Sequence, residues 1–328
     1  MSGDTISDLL KTVRMTGAVF FEITAGDDWS VGSPTPEMML PRILPGADHL
    51  VAFHVVTAGH CYAGLHGGES QRIDAGEVIV FSRGQPHVVS SAPGQEADPI
   101  ATSVLDIAMA GLMPYCLQFG CSGSVQTRIV CGYLACDSSP FNPLIDNLPP
   151  MIKGGRPRDG RPGWLDRFIE VALAESTERR AGSETMLTKL SELMFIDLLR
   201  NYIETLPSER SGWLAGVRDP SVGRALGLLH GKPAHDWSIE NLAKASGVSR
   251  SVMAERFTSL VGIPPMAYLA KWRMQIAAET LAHGNATMAE IADKVGYDSE
   301  ASFSRAFKKL IGVPPSQWRR RETAERKS

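Results

Sequence analysis

SIENLAKASG (238–247) and TMAEIADKVG (287–296) are two versions of one pattern. Ser238 and Thr287, Ile239 and Met288, Leu242 and Ile291, Ala243 and Ala292, and Gly247 and Gly296 coincide at an offset of 49. One inserted residue raises the offset to 50, and the correspondence continues. Phe257 matches Phe307, Leu260 matches Leu310, Val261 matches Ile311 and Gly262 matches Gly312. The pairs Pro264-Pro265 and Pro314-Pro315 follow, and Tyr268 matches Trp318. Two copies are too few for a stacked array, so the stretch is one small helical unit used twice.

Each copy predicts helix, tight turn, helix. Ser238 and Thr287 are N-caps, since their hydroxyls can accept from the early backbone N–H groups. Positions 239, 242 and 243, and likewise 288, 291 and 292, are apolar at helical spacing and face inward. Gly247 and Gly296 stop the first helix, where a left-handed residue is needed. Ser249 and Ser299 cap the second helix. Met253 and Phe257, like Phe303 and Phe307, are spaced i, i+4 and form its buried stripe. This is the helix-turn-helix pattern, whose second helix enters a DNA major groove. Between the copies, Pro265 to His283 predicts one helix, with Pro at its start and Gly284 past its end. At about 1.5 Å per residue it spans roughly 28 Å. One turn of B-DNA is about 34 Å, so the two second helices can reach successive major grooves on one face.

Charge separates this half of the chain from the rest. The 328 residues carry a net charge of −3, from 33 Lys and Arg against 36 Asp and Glu. Residues 219–328 hold 16 basic and 11 acidic side chains, and the first 218 residues hold 17 and 25. A basic module meant for a polyanion is thus joined to an acidic one. The length suits two domains of about 100–200 residues. A hydrophobic fraction of 43% with 21% charged residues excludes global disorder. No apolar run approaches the ~18 residues of a membrane span, so no membrane partner is expected. The start, MSGDTISDLLKTVRMTG, lacks an apolar h-region, so no secretory signal is expected and the location is cytoplasmic. All five cysteines lie between Cys61 and Cys136, and in such a compartment they are reduced thiols.

GYDSEASFSRAFKKLIGVPPSQWRR (296–320) resembles the signature of AraC/XylS-type transcription regulators, and the resemblance covers about the last 110 residues. In that family certain positions of the second helices face DNA. Here they are Ser251 and Glu255 in the first copy, and Ala301 and Arg305 in the second. Helical geometry agrees, because these positions lie off the Met253/Phe257 and Phe303/Phe307 stripes. Arg305 is the leading candidate, as a guanidinium can read guanine or clamp a phosphate. Glu255 departs from the basic or polar residue family members place there. Either it accepts from a cytosine amino group, or it pairs with Arg250 or Arg256. Arg250, Ala254, Glu300 and Ser304 are further contact candidates. Lys308, Lys309 and Arg319 to Arg321 are phosphate candidates.

The acidic half holds short β-type runs at Ala18–Thr24, Leu50–Thr57, Glu77–Phe81 and Gln126–Tyr133, separated by Gly, Pro, Asp and Ser. They predict an antiparallel sandwich or barrel. Gly76-x5-Ser82-x-Gly84-x2-His87 resembles the second cupin motif, with Ser82 where Pro is usual. It would aim His87 into a barrel mouth. The first cupin motif offers a His-x-His pair, whereas Phe53-His54-Val55-Val56 has one His, so no three-His metal site and no cofactor are expected. DLLKTVRMTGAVFF (8–21), CGYLACD (131–137) and NPLIDNLPP (142–150) resemble further pieces of the cupin-type N-terminal region of one AraC subgroup. Cys116 with Cys121, and Cys131 with Cys136, form two C-x4-C pairs. That spacing is wider than a zinc knuckle, and buried inert Cys is the commoner state. His54, Cys61, His87, Cys116 and Cys121 are the candidate effector or redox residues.

MIKGGRPRDGRPG (151–163) predicts a loop, Trp164 to Arg180 and Ser183 to Leu206 predict two amphipathic helices, and PSERSGWLAGVRDP (207–220) predicts a hinge. The helical pair can pack on the barrel or pair across a homodimer. The expected molecule is α+β and multidomain: a cupin-like β-barrel sensor (1–150), a helical connector (151–218) and an all-α double helix-turn-helix (219–328). Its expected role is that of a non-enzymatic regulator that binds double-stranded promoter DNA, senses a small molecule or oxidant, and works with RNA polymerase as an activator or a repressor. The alternative is a cupin metalloenzyme, an isomerase or dioxygenase, with an accessory helical domain.

Overall fold

The computed structural model describes residues 15–43, 49–109, 115–120, 125–136, 140–155, 164–178, 181–206, 212–284 and 286–325. The chain divides into two compact units. One is Met15–Cys136 with Leu148–Glu204; the other is Met1–Arg14, Asp137–Asn147 and Thr205–Ser328. No helix among the described residues is long and apolar enough to cross a membrane.

The first unit is β-rich. Its strands are β1 (Met15–Ala25), β2 (Ser30–Gly32), β3 (His49–Ala58), β4 (His60–Leu65), β5 (Ser70–Asp74), β6 (Val78–Phe81), β7 (His87–Ser90), β8 (Tyr115–Phe119), β9 (Thr127–Cys136) and β10 (Met151–Gly154). Its helices are α1 (Pro36–Ile43), α2 (Thr102–Met109), α4 (Trp164–Glu178) and α5 (Ser183–Thr205); α3 (Pro143–Asn147) belongs to the second unit. One sheet runs β10-β6-β3-β9-β1-β8 and the other β2-β7-β4-β5. All pairings are antiparallel except β1 with β8. The four β-type runs legible in the sequence are β1, β3, β6 and β9, all in the six-stranded sheet.

Alternation along these strands explains the core. Val19, Phe21, Ile23, Leu50, Ala52, Val56, Ile129, Cys131 and Ala135 share one cluster with Cys61, Ala63, Ile73 and Val89 of the second sheet. The intervening Phe20, Val51, Phe53, Val55, Val130 and Leu134 are also buried, so the central strands are apolar on both faces. Each large side chain so buried contributes about 1.5–3 kcal/mol. The stretch 151–154, expected as loop, is the edge strand β10, pairing Met151 with Phe81 and Ile152 with Val80. Its Gly154 admits α5: a Cβ there would stand 2.3 Å from Leu198.

The second unit is helical: α6 (Trp213–Arg218), α7 (Pro220–Gly231), α8 (Ile239–Ser246), α9 (Arg250–Val261), α10 (Pro265–His283), α11 (Met288–Lys294), α12 (Glu300–Ile311) and α13 (Pro315–Glu325). The expected hinge contains α6, whose Trp213 is buried and donates through Nε1 to the Tyr268 hydroxyl at 2.9 Å. Residues 207–211 lie outside the described set. The duplication is physical as well as sequential. Phe257 meets Tyr268 edge-on at 5.7 Å, and Phe307 meets Trp318 edge-on at 6.1 Å.

Candidate functional site

The helical unit presents two matching surfaces. Ser238 and Asn241 form a capping box at the start of α8, and Thr287 and Glu290 form one at the start of α11. Each box satisfies two orphan donors reciprocally. The turns need Gly247 at φ +78° and Gly296 at φ +76°. At Gly296 a Cβ would also lie 2.6 Å from the Ala234 carbonyl oxygen. Ser249 accepts from Val252 N at 3.3 Å and Ser299 from Ser302 N at 3.2 Å, starting α9 and α12. Met253 and Phe257 turn inward on α9, and Phe303 and Phe307 on α12.

The opposite faces are open. Arg250, Ser251, Ala254 and Glu255 are exposed on α9; Glu300, Ala301, Arg305, Lys308 and Lys309 are exposed on α12, where Ser304 is half-buried. Glu255 does not pair with either neighbouring arginine. Arg250 Nε instead meets Glu240 at 3.0 Å, and Arg256 binds Asp219 Oδ2 at 2.6 Å. Burial works against the Asp219 charge, but hydrogen bonds from Val222 and Ser221 and the Arg256 guanidinium outweigh it and hold its carboxyl below the usual range. Arg305 has no side-chain partner among the described residues. Arg319 is engaged, donating to the Ala286 carbonyl at 2.5 Å, whereas Arg320 and Arg321 are exposed. Sequence reasoning missed Arg273 on α10. Its guanidinium donates to the carbonyls of Pro233 at 2.8 Å, His235 at 3.0 Å and Gly296 at 3.1 Å, tying the lead-in of the first copy to the turn of the second.

The β-rich unit brings His54 and His87 together. Gly76 and Gly84 have φ of +89° and +61°, and they bracket β6 so that β7 returns with His87 inward. The two Nε2 atoms are 2.7 Å apart. His54 Nδ1 lies 2.8 Å from Cys131 Sγ, and His87 Nδ1 lies 2.9 Å from the Gln85 carbonyl. A carbonyl only accepts, so His87 Nδ1 carries a hydrogen and its Nε2 accepts. His54 Nε2 therefore donates, its Nδ1 accepts, and the Cys131 thiol donates. One backbone carbonyl thus sets the direction of the whole chain. Electrostatics agree: burial lowers both imidazoles, His54 well below its usual value and His87 to about 4, and raises the Cys131 thiol well above its own. All three groups are neutral at pH 7. The His87 ring also stacks on Phe81 at 3.8 Å.

Cys61 and Cys116 are not part of this group. Cys61 is in the core, its thiol pushed up to about 12 by burial and by Asp74. Cys116 is exposed on β8. Cys121 lies outside the described residues, so the Cys116/Cys121 spacing is not described as a pair. Cys131 is the member the sequence left unassigned. The available signal was register: Cys131 sits in the alternate row Ile129, Cys131, Ala135, directly across from His54. Among the described residues, no group of three or more His, Cys, Asp or Glu could hold a metal ion. Two imidazoles on one tetrahedral zinc stand about 3.3 Å apart, wider than this hydrogen-bonded pair.

Residues 4–204 match the family described as Cupin, and residues 242–321 match the family described as a helix-turn-helix domain. A protein of Streptomyces lividans described as an AraC-like transcription regulator is 32% identical, covering 98% of this chain and 99% of its own. The HTH-type transcriptional regulator AlkR of Acinetobacter baylyi is 28% identical, covering 96% and 99%. Among solved structures, the DNA-binding domain of AdpA in complex with a target DNA is 25% identical, covers 34% of this chain and 98% of that one, and gives a TM-score of 0.32.

Proposed function

The chain belongs to the AraC-like transcription regulators, and on that premise we propose that it reads promoter DNA with α9 and α12 while its cupin unit senses a small effector. The observation that carries this reading is the duplicated, capped helix-turn-helix with an open face on each second helix. On α12, Arg305 makes the base contact, Glu300, Ala301 and Ser304 shape the surface around it, and Lys308 and Lys309 neutralise phosphates. On α9, Ser251, Ala254 and Glu255 form the weaker reader, with Arg250 reaching a phosphate after leaving Glu240. The sensor, connector and reader boundaries proposed from sequence are 1–150, 151–218 and 219–328.

Further roles follow from surfaces. Exposed Met186 and Leu193 on α5, seven residues apart on one face, support pairing with a second copy of this chain. RNA polymerase is the proposed second protein partner, and the cytoplasm the proposed location. No catalytic step is assigned, because His54 and His87 hold each other rather than a substrate.

The test is selection of bound DNA from a random library, followed by gel-shift titration. Arg305→Ala should weaken the selected site by about 1–3 kcal/mol and relax one base position. Unchanged affinity and preference in a folded variant would remove Arg305 from the reader. Stoichiometric iron or manganese on His54 and His87, with no selected DNA, would favour an enzyme instead.

A further inference from the structure

A cavity of about 50 Å³ opens on the inner face of the β-rich unit. Its walls include Phe21, Ile23, Val89, Leu105, Leu117 and Tyr133, and the His54, His87 and Cys131 side chains line it as well. Among the described residues, no Lys, Arg, Asp or Glu lines it. Its polar groups are already engaged. Both nitrogens of each imidazole are used, and Ser33 Oγ accepts from His87 N at 2.9 Å. The exception is the Tyr133 hydroxyl, for which the described residues provide no hydrogen-bond partner. A charged guest would lose its hydration with nothing to replace it, whereas an apolar guest with one oxygen would lose almost nothing.

The roof is a strap. Ile100 N donates to the Gly32 carbonyl at 2.9 Å, and α2 then lays Leu105 over the cavity. Gly32 is required there, because a Cβ would stand 2.6 Å from the Asp98 carbonyl oxygen. A single water needs roughly 10–15 Å³ of such volume, so the cavity admits about four heavy atoms, and slightly more if the strap lifts.

We infer that this cavity is the effector site, and that its ligand is a small, uncharged, largely apolar molecule carrying one carbonyl or hydroxyl oxygen, received by Tyr133. The inference rests on the reading of this unit as a sensor. The ligand lies against a neutral floor and under Leu105, so its arrival is felt by the strap rather than by a charge.

Three probes of five heavy atoms separate the possibilities: 2-butanone, propionate and n-butylammonium. The full chain, labelled at Ile, Leu and Val methyls, is titrated with each and followed by NMR. The expected result is saturable shifts at Ile23, Val31, Val89, Ile100, Leu105 and Leu117 with 2-butanone, and binding about 100-fold weaker or undetectable for the two ions. Tyr133→Phe should weaken the ketone about fivefold. Leu105→Trp should block it, with Ile100→Trp as the second plug if the first does not fold. Equal binding of either ion, no binding of the ketone, or full binding in a folded plugged variant would overturn the proposal, as would an unaffected Tyr133→Phe. Gel shifts on the same preparations test the regulator reading separately. A protein that binds 2-butanone but no selected DNA would keep the site and sink the regulator, and the converse would do the opposite.

Discussion

His87 shows how much one backbone carbonyl can decide. Its Nδ1 is committed to Gln85, so its Nε2 is committed to accept, and the assignment passes through His54 to Cys131. Protonating either imidazole breaks that order. The pH dependence follows with a definite sign. The folded-state value of His87 is depressed to about 4 by burial, while an unfolded imidazole titrates near 6.5. Between those values the unfolded chain binds protons that the fold refuses. Stability is therefore full above about pH 6.5 and falls as the pH drops toward 4. Thermal melts of the full chain should show this decline, and His87→Gln should flatten it. A melting temperature level across that window would mean that the imidazoles are not buried neutral. At this scale the sequence yielded His54 and His87 but not Cys131. A cysteine in an apolar row carries no mark of its partner, and only the β3–β9 register puts it opposite His54.

Elements differ in how far their own residues specify them. The helix-turn-helix copies were legible because each stop and start is local: a hydroxyl cap, a glycine at positive φ, a proline in the first turn. The sheet of β2, β7, β4 and β5 was not, since its strands are short, the alternate row Cys61, Ala63 and Leu65 of HCYAGL is small and interrupted by Tyr62, and SQRID carries a single apolar residue. β10 reads as loop in the sequence because a Gly-Arg-Pro run follows it directly. Arg273 was invisible for a related reason, as its three acceptors are carbonyls, which sequence does not label. Arg273→Lys keeps the charge but cannot span all three. We expect a loss of about 1–3 kcal/mol in stability. We also expect weaker discrimination against selected sites whose half-site spacing is changed by one base pair. Wild-type spacing preference in the variant would show that α10 alone sets the distance between the copies. Gly296→Ala should cost more, about 2 kcal/mol or above by chemical denaturation, because positive φ and the Ala234 backbone both oppose a methyl group.

At the scale of the molecule, the net charge of −3 averages an acidic sensor half and a basic reader half. DNA affinity should accordingly fall steeply with salt, since each Lys or Arg on a phosphate releases a counterion. Chain order is less simple than charge. After β9, which lends Cys131 and Tyr133 to the cavity, residues 140–147 belong to the helical unit, and the chain then returns for β10. Pro143, Leu144 and Ile145 are buried there, and Phe141 lies edge-on to Tyr268 at 5.6 Å while its N–H donates to Gln275. The reader core is thus completed by a segment from the middle of the sequence, which no local pattern reveals. Ile145→Ala should lower the stability of the helical unit by about 2–5 kcal/mol. Trp213 and Trp272, both buried in that unit, provide the fluorescence signal for a denaturant titration. A fragment starting at residue 205 should unfold at lower denaturant than the full chain for the same reason. If the fragment and the Ile145→Ala protein both keep the full-length midpoint, the 140–147 segment contributes nothing to the reader core.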